Sequence, residues 1–331
     1  MLKSGAKAAE CSDEEWHMEV SMKVLSNRWV FRVKYLANDE IERFKARLVI
    51  KGFLQIYGVN YFEVYSPVVR LETLRMLLTL AAIWDYEIDQ MDMTTAFLNG
   101  DIDVEVFMEQ PEGYVEEGKE DFVCVLLKSL YGLKQAPRVW FRLLKDHLEC
   151  EGYTLMNCEA CVAVKIDIWL VFISIYVDDL ILFAPNKVIM KQMKATLHRR
   201  FEMKDLGPIH YILGWEITRN RRERTVFISQ RQYAEKVLRR FDMENCNGCK
   251  VPCSPELKLS KVMCPTTREE KLLMEDKPYR SVIGSLMYLM LGTRPDLAYV
   301  VRECSQFLNN PGILHWRVAK RALRYIKETM D

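Results

Sequence analysis

The stretch IWLVFISIYVDDLILF, residues 168–183, decides the fold class of this chain. It is apolar apart from Ser174 and the adjacent carboxylates Asp178 and Asp179. Two apolar runs of strand length on either side of a short polar pair predict a hairpin of buried strands with the aspartates at its tip. Asp is also common at ordinary hairpin tips, but the apolar flanks and the preceding Tyr176 favour a functional pair.

If this pair of carboxylates is buried, it is suited to binding a cation. Adjacent carboxylates repel each other in a low-dielectric setting, so burying both is costly unless a cation is present. Mg²⁺ prefers hard carboxylate oxygens. Nucleotidyl transfer uses two such ions about 4 Å apart, one activating a primer hydroxyl and one neutralising the departing pyrophosphate. Asp92 follows a short predicted strand at residues 87–91 and is the candidate for a third carboxylate.

Charge is distributed unevenly along a chain that is almost neutral overall. The 331 residues carry a formal net charge of +1. Residues 85–121 contain thirteen acidic side chains and one lysine, whereas residues 187–240 contain fourteen basic and five acidic ones. A basic surface on such a chain can follow the phosphates of a nucleic acid, although two solvated faces explain the blocks equally well.

Cysteine usage and hydropathy predict an intracellular protein. The sequence shows neither an apolar leader nor an apolar run near the ~18 residues of a membrane span. We therefore expect its ten cysteines to be reduced and no membrane partner. The pairs Cys158/Cys161 and Cys246/Cys249 have CxxC spacing but lie far apart in sequence. Ordinary thiols are favoured over zinc, which needs four converging ligands.

Hydrophobic periodicity predicts an α+β fold. Residues 27–50 alternate as in a β-hairpin with basic side chains outward. Helices are expected at residues 71–84, at residues 136–150 and after the N-cap Ser229. Three more helices are predicted at residues 279–330. Strands mixed with helices in the first two-thirds, followed by helices alone, indicate an α+β domain with a helical appendage.

Several motifs in fixed order resemble the reverse transcriptase region of copia-type (Pseudoviridae) LTR-retrotransposon Pol polyproteins. Beside YVDD at 176–179, they include WVFRVK at 29–34, KARLVIKG at 45–52, QMDMTTAFLNG at 90–100, SLYGLKQAP at 129–137, TRPDL at 293–297 and HWRVAKRALRYIK at 315–327. The resemblance implies a right-hand polymerase. It places a tail at residues 1–15, fingers and palm at 16–219, and thumb and connection helices at 220–331, ending before the ribonuclease H domain.

The same resemblance implies roles for individual residues. The catalytic residues and ligands of two Mg²⁺ (or Mn²⁺) ions would be Asp92, Asp178 and Asp179. The incoming nucleotide would be bound by Lys45, Arg47, Phe97, Gln135 and Tyr176. The template and primer would be contacted by Gly132, Pro137, Leu213, Gly214 and Trp215.

Several of these residues have an ordinary structural explanation as well as the functional role that the resemblance implies. Lys45 and Arg47 would hold the triphosphate, although cations on a strand face are usually just solvated. The aromatic ring of Phe97 would collide with a 2′-hydroxyl and so select dNTPs. The alternative is that Phe97 is an ordinary core residue. Gly132 would allow a close backbone approach. Residues 213–215 would form a primer-grip hairpin, or a strand with a bulge.

The implied activity is that of an RNA-directed DNA polymerase with a template-primer of RNA or DNA and dNTPs as partners. It would work in the cytoplasm, a virus-like particle or the nucleus, and dimerisation is left open. The alternative is a catalytically silent, truncated relic that at most binds nucleic acid. It is kept open because strand-like sequence is missing before residue 27 and the chain stops before a ribonuclease H domain. A nucleotide cyclase is disfavoured, since it would not need the fingers and primer-grip motifs.

Overall fold

The computed structural model describes residues 9–11, 23–35, 40–254, 256 and 258–330. Its strands are β1 Ala9–Cys11, β2 Asn27–Tyr35, β3 Ile41–Ile50, β4 Glu87–Met93, β5 Phe107–Glu109, β6 Val123–Leu126, β7 Thr154–Met156, β8 Glu159–Ile166, β9 Leu170–Tyr176, β10 Asp179–Ala184, β11 Met203–Pro208, β12 Tyr211–Ile212, β13 Trp215–Asn220 and β14 Thr225–Ser229. Its α-helices are α1 Leu71–Ile83, α2 Ala136–Cys150, α3 Lys187–His198, α4 Arg231–Arg240, α5 Arg268–Glu275, α6 Tyr279–Gly292, α7 Ala298–Ser305 and α8 Ile313–Glu328. This mixture of helices and strands agrees with the predicted α+β class. The predicted tail at residues 1–15 lies outside the described residues except for β1.

The chain divides into two compact units. Unit 1 comprises Met1–Leu74 and Tyr86–Pro208, and unit 2 comprises Arg75–Asp85 and Ile209–Asp331, each within the described residues. The boundary near residue 208 differs from the predicted one near residue 219. Compactness does not test which segments act as fingers, palm or thumb, so that assignment stays a prediction.

The central feature of unit 1 is a six-stranded antiparallel sheet in the order β11-β4-β10-β9-β8-β7. The middle strands β9 and β10 are buried along almost their whole length, as expected of runs rich in Ile, Val, Leu and Phe. Fully burying one such side chain contributes about 1.5–3 kcal/mol. This burial fixes the strand register, in which Asp179 lies opposite both Tyr176 of β9 and Asp92 of β4.

Helices α2 and α3 cover parts of this sheet, with α3 contacting β10, β11 and β4, and α2 contacting β7. The start of α3 is set by Asn186, whose side chain accepts hydrogen bonds from the amides of Val188 and Ile189. Such an N-cap is typically worth about 1 kcal/mol. The helix buries Met190, Met193 and Leu197, so the sheet has an apolar cover.

Two smaller sheets complete unit 1. Strands β2 and β3 form the predicted basic hairpin, in which Arg32 lies opposite Lys45 and Val30 opposite Arg47. Strands β1, β6 and β5 form a three-stranded sheet. A separate apolar cluster that includes Leu25, Ile50 and Met108 packs beneath these elements.

Unit 2 contains a three-stranded sheet, β12-β13-β14, and the helices α4 to α8. Its core is one apolar cluster, to which α6 contributes Val282, Leu286 and Leu289, and α8 contributes Leu323 and Ile326. Helices α6, α7 and α8 lie in the region where three helices were predicted, and α8 is amphipathic, as its alternating cationic and apolar residues indicate. No helix in the described part of the chain is long and apolar enough to cross a membrane.

Candidate active site

The tip of the β9–β10 hairpin is a strained turn held from two sides. Val177 has a φ of 54°, which is unfavourable for a β-branched residue. The indole Nε1 of Trp140 in α2 donates a hydrogen bond of 2.8 Å to the carbonyl oxygen of Val177. The carbonyl oxygen of Asp178 accepts from the amide of Met93, 2.9 Å away at the end of β4. The strained turn is therefore fixed by α2 and β4.

Asp178 is placed where its charge is poorly solvated. Burial and the charges of Asp92 and Asp179 together raise the pKa of Asp178 to about 6, with Arg47 and Lys45 opposing. One carboxylate oxygen, Oδ1, is buried and has no hydrogen-bond partner among the described residues. The positive charges of Arg47 and Lys45 do not outweigh burial and the neighbouring carboxylates, and Oδ1 has no hydrogen-bond donor. The site is therefore suited to a cation.

Asp179 has a different environment from Asp178. The buried side chain of Gln90 donates a hydrogen bond of 3.1 Å from Nε2 to Oδ1 of Asp179. Burial raises the pKa of the Asp179 carboxyl, and the Gln90 hydrogen bond opposes this rise. Gln90 lies two residues before Asp92 on β4 and therefore on the same face of the sheet. Oδ1 of Asp179 is thus hydrogen-bonded, whereas Oδ1 of Asp178 has no partner among the described residues.

The charge of Asp92 raises the pKa of both Asp178 and Asp179, so Asp92 and Asp178 could share a divalent cation. A cation there would relieve both the repulsion by Asp92 and the unpartnered oxygen of Asp178. Within the described ranges, however, no group of three His, Cys, Asp or Glu side chains converges as metal ligands do. The three-carboxylate site of Asp92, Asp178 and Asp179 therefore stays a prediction, with Asp92 acting electrostatically on both other aspartates and Gln90 bonded to Asp179.

Residues of the β2–β3 hairpin and of two loops lie around these carboxylates. The guanidinium carbon of Arg47 is 5.3 Å from the ring centroid of Tyr131, and the ring of Phe97 meets Tyr131 edge-on with centroids 5.0 Å apart. Burial raises the pKa of the Tyr131 hydroxyl, Asp178 raises it further and Arg47 opposes. The structure therefore brings Lys45, Arg47 and Phe97 to the Asp178 environment.

Tyr131, Gln90 and Trp140 are site residues that sequence reasoning missed. Each lies within or beside a motif already quoted, at residues 90–100 or 129–137. Tyr131 directly precedes Gly132, and Gln90 precedes Asp92 by two positions on one strand face. Their positions beside predicted site residues could have identified Tyr131 and Gln90 from the sequence. No sequence pattern could have identified Trp140, because only the packing of α2 brings its indole to the hairpin tip.

Gly132 makes a close backbone approach, but to β3. Its φ is +97°, and a Cβ there would lie 2.0 Å from the carbonyl oxygen of Ile50, so no other residue fits. The amide of Ile50 also donates to the carbonyl oxygen of Tyr131 at 2.8 Å. The close approach therefore joins this loop to the basic hairpin, and the expected approach to a template stays a prediction.

Gln135 and Pro137 serve the loop-to-helix junction. The Gln135 side chain is buried and exchanges hydrogen bonds with the amide of Gln55 and the backbone of Asn60. Its side chain therefore holds this junction together, and the predicted substrate contact stays a prediction. Pro137 lies in the first turn of α2, where its missing N–H is not needed, and its carbonyl oxygen accepts from the Ser66 hydroxyl.

The remaining predicted residues have clear positions. Tyr176 ends β9 and is half-buried opposite Asp179. In unit 2, Leu213 and Gly214 have φ values of 50° and 74°, which makes them a tight hairpin turn between β12 and β13. Trp215 is fully buried with the Arg75 guanidinium carbon 5.3 Å from its ring centroid. The buried ring stands directly after this turn, and the predicted role of residues 213–215 at a primer stays a prediction.

The whole chain is similar to proteins of known family. The model of a family described as reverse transcriptase (RNA-dependent DNA polymerase) matches residues 17–255. A retrovirus-related Pol polyprotein from transposon TNT 1-94 of Nicotiana tabacum is 45% identical over 92% of this chain, and one from transposon RE2 of Arabidopsis thaliana is 35% identical over 94%. The chain spans 23% and 21% of these relatives' lengths. These matches confirm the resemblance to copia-type polyproteins.

A solved structure also resembles the chain. It is titled as the foamy viral protease-reverse transcriptase dRH in complex with ds DNA, and it aligns with a TM-score of 0.41 at 12% identity. The alignment covers 86% of this chain and 42% of that one.

Proposed function

The chain belongs to the reverse transcriptase (RNA-dependent DNA polymerase) family, and from this premise we propose that it extends a primer with dNTPs on an RNA template. It would do so as the polymerase region of a copia-type retrotransposon Pol polyprotein, the class of protein to which it is similar. One observation carries the proposal: the buried Asp178 carboxylate, beside Asp92, leaves an oxygen without a hydrogen-bond partner among the described residues.

Asp92 and Asp178 would hold the divalent ions, Mg²⁺ or Mn²⁺. Bound cations would lower the pKa of the primer 3′-hydroxyl and neutralise the departing pyrophosphate. Both carboxylates stand at strand ends whose positions are fixed by register and by the Met93–Asp178 backbone hydrogen bond. Asp179 would act in support, since Gln90 holds its carboxylate.

The nucleotide would lie between the carboxylates and the basic hairpin. Lys45 and Arg47 act electrostatically on Asp178, so they are near enough to bind a triphosphate that shares the same cations. Arg47 is held over Tyr131, and Tyr131 against Phe97. These rings would form the wall against the sugar, where an added 2′-hydroxyl collides with Phe97.

Gln90 and Trp140 would act as positioning residues. A preorganised site keeps its charges in place before substrate arrives, so little reorganisation is needed during the reaction. Gln90 fixes the direction of Asp179, and Trp140 fixes the backbone at Val177. Neither needs to touch the substrate to affect the rate of the chemical step.

Primer extension on an RNA template tests the proposal. Asp178→Asn is compared with the full wild-type chain and with Asp167→Asn, an exposed aspartate in the loop before β9. We expect the first variant to lose activity on the order of a hundredfold or more, the scale of removing one preorganised charge. Asp167→Asn should match wild type.

Two results would count against catalysis. If the wild type incorporates no more dNTP than Asp178→Asn, the proposed activity is wrong. Salt-dependent binding of the template-primer by that inactive wild type would then support the silent nucleic-acid-binding relic instead. The observation behind that alternative is that no three-ligand group is formed within the described residues.

A further inference from the structure

The β2–β3 hairpin of unit 1 has two faces of opposite character. Successive side chains of a strand point to opposite faces, and residues paired across the hairpin, such as Phe31 and Ala46, share a face. One face is therefore apolar and consists of Trp29, Phe31, Val33, Phe44, Ala46 and Leu48. The other face carries Lys45 and Arg47, which act electrostatically on Asp178. The proposed polymerase chemistry uses only this basic face.

The apolar face is exposed at its centre. Phe31 and Phe44 are 74% and 77% exposed, and Val33, opposite Phe44, is 39% exposed. Trp29 stacks on Phe31 with ring centroids 6.3 Å apart and meets the ring of Tyr114 at 5.6 Å. Single apolar residues on a surface are ordinary, whereas a cluster of them with a polar rim marks an interaction site. We call these five residues the aromatic face.

An acidic loop borders the aromatic face. Residues 109–121 contain six carboxylates and one lysine, and all six carboxylate side chains are exposed. Asn27 Nδ2 donates to the carbonyl oxygen of Glu109 at 2.6 Å. Trp29 Nε1 donates to that of Glu112 at 3.0 Å. Because both donors belong to β2, these hydrogen bonds hold the acidic loop beside the aromatic face.

The acidic loop keeps its shape through its own hydrogen bonds. Nε2 of Gln110 donates to the carbonyl oxygens of Lys119 and Phe122, at 2.6 Å and 3.1 Å. Its Oε1 accepts from the amide of Glu116 at 2.9 Å. The ammonium of Lys119 lies 3.4 Å from the carboxylate of Glu116, so it offsets one of the six negative charges. The rest form a fixed negative rim, and fixed groups lose less conformational entropy on binding.

This charge decides what kind of molecule can cover the aromatic face. Carboxylates repel the phosphates of a nucleic acid and the headgroups of an anionic membrane. A symmetric contact between two copies of the chain would bring two acidic rims into one interface, where like charges are costly. A cationic protein segment meets neither obstacle. Its Lys or Arg side chains can also lie over exposed aromatic rings.

We propose that the aromatic face docks a cationic segment of another protein, one that carries bulky apolar side chains beside its Arg or Lys residues. The apolar side chains would cover Phe31 and Phe44, and the cations would pair with the acidic rim. Aromatic residues at the centre of a patch with polar residues around them are the usual anatomy of a protein–protein interface. This interaction uses the face of the hairpin that does not carry Lys45 and Arg47.

The test measures binding of the full wild-type chain to a fluorescein-labelled peptide of arginine and leucine in equal number, by fluorescence anisotropy. Two comparison peptides replace every leucine by serine or every arginine by glutamate, and so remove the apolar and the cationic part separately. We expect the arginine–leucine peptide to bind about tenfold or more tighter than either comparison peptide, the scale of losing one central contact.

The aromatic double, Phe31→Thr with Phe44→Thr, removes the two most exposed rings and keeps residues that strands favour. Its affinity for the arginine–leucine peptide should fall about tenfold or more, as when aromatic residues central to an interface are truncated. The control is Phe227→Thr with Val262→Thr, two exposed apolar residues of unit 2, and should match wild type. Thermal unfolding checks that both doubles stay folded, as expected because these side chains are mostly exposed.

A second pair of variants tests the acidic rim. Glu112→Gln with Glu117→Gln neutralises two exposed carboxylates of the acidic loop. Affinity for the arginine–leucine peptide should fall about threefold or more, the scale of exposed ion pairs. Binding should also weaken less steeply with added salt, because fewer exposed charges are left to be screened. The control, Glu269→Gln with Glu275→Gln in α5, should match wild type.

Three results would overturn the proposal. The first is equal affinity in the aromatic double and its control, and the second is binding of either comparison peptide as tight as that of the arginine–leucine peptide. The third comes from sedimentation velocity without peptide. A wild-type dimer that the aromatic double dissociates would assign the face to a second copy of the chain. Primer extension is not a readout here, so an inactive polymerase would leave these results unchanged.

Discussion

The indole Nε1 of Trp140 lies 2.8 Å from the carbonyl oxygen of Val177 and donates a hydrogen bond to it. Val177 has a φ of 54° at the hairpin tip next to Asp178. Backbone strain of this kind persists only where the surroundings hold it. The tip of the β9–β10 hairpin therefore depends on an uncharged side chain from α2.

Trp140→Phe should weaken both the fold and the polymerase. The ring is kept, so its packing against Phe201 is largely preserved, but the carbonyl of Val177 loses its donor. We expect the free energy of unfolding in urea to fall by about 1–2 kcal/mol and primer extension to fall with it. Trp169→Phe, at an exposed tryptophan, is the control. Unchanged stability and activity in Trp140→Phe would show that the hairpin tip needs no such support.

Gln90 and Asp179 should be energetically coupled. Gln90→Met removes the donor to Asp179 while keeping a side chain of similar size on β4. In metal-free buffer, a double-mutant cycle with Asp179→Ala should give a coupling of about 1–1.5 kcal/mol in the free energy of unfolding. The single variant should also lower kcat for primer extension with little change in KM for dNTP. Strict additivity of the two substitutions would rule out the positioning role.

Comparing the carboxylates Asp92 and Asp178 with the hydrogen bond from Trp140 shows which parts of the site could be predicted from the sequence. The positions of Asp92 and Asp178 could be predicted from a short strand and an apolar hairpin, because antiparallel pairing brings strand ends together. The hydrogen bond from Trp140 depends on the angle at which a helix crosses the sheet, which no local pattern encodes. The burial of individual motif residues could not be predicted either. Gln135 and Trp215 lie in motifs, yet both side chains are inside the protein. A motif identifies residues that matter and does not say whether they face a ligand or the core.

Phe97 should control the choice between dNTP and NTP. Its ring meets Tyr131 edge-on, 5.0 Å away between centroids, beside the Asp178 environment. Phe97→Val shortens the side chain and should raise incorporation of ribonucleotides relative to deoxyribonucleotides by about tenfold or more, a difference of about 1.4 kcal/mol. Tyr131→Phe keeps the ring against Phe97 and serves as the control. Equal discrimination by Phe97→Val and wild type would assign Phe97 to the core alone.

The buried histidine of α8 should make the stability of unit 2 dependent on pH. His315 accepts a hydrogen bond at Nδ1 from the amide of Gly312, 2.9 Å away, at the start of the helix. Its Nε2 is buried without a partner among the described residues, and the ring lies 4.3 Å from that of Phe307 between centroids. A second proton would have to take the Nδ1 lone pair and break the bond to Gly312. Burial accordingly lowers the pKa of His315.

The direction of the pH effect follows from that shift. Because the folded pKa is the lower one, the unfolded chain takes up the proton first as pH falls below the unperturbed value of about 6.5. The stability of wild type should be full above that pH and should decline as pH falls towards the folded pKa. His315→Gln retains an acceptor for the Gly312 amide, as in a capping box, and cannot be protonated. Urea unfolding between about pH 7.5 and pH 5 should therefore show a smaller decline in His315→Gln. Replacing the exposed His198 by Gln controls for the loss of a histidine as such, and parallel curves for wild type and His315→Gln would contradict the assignment.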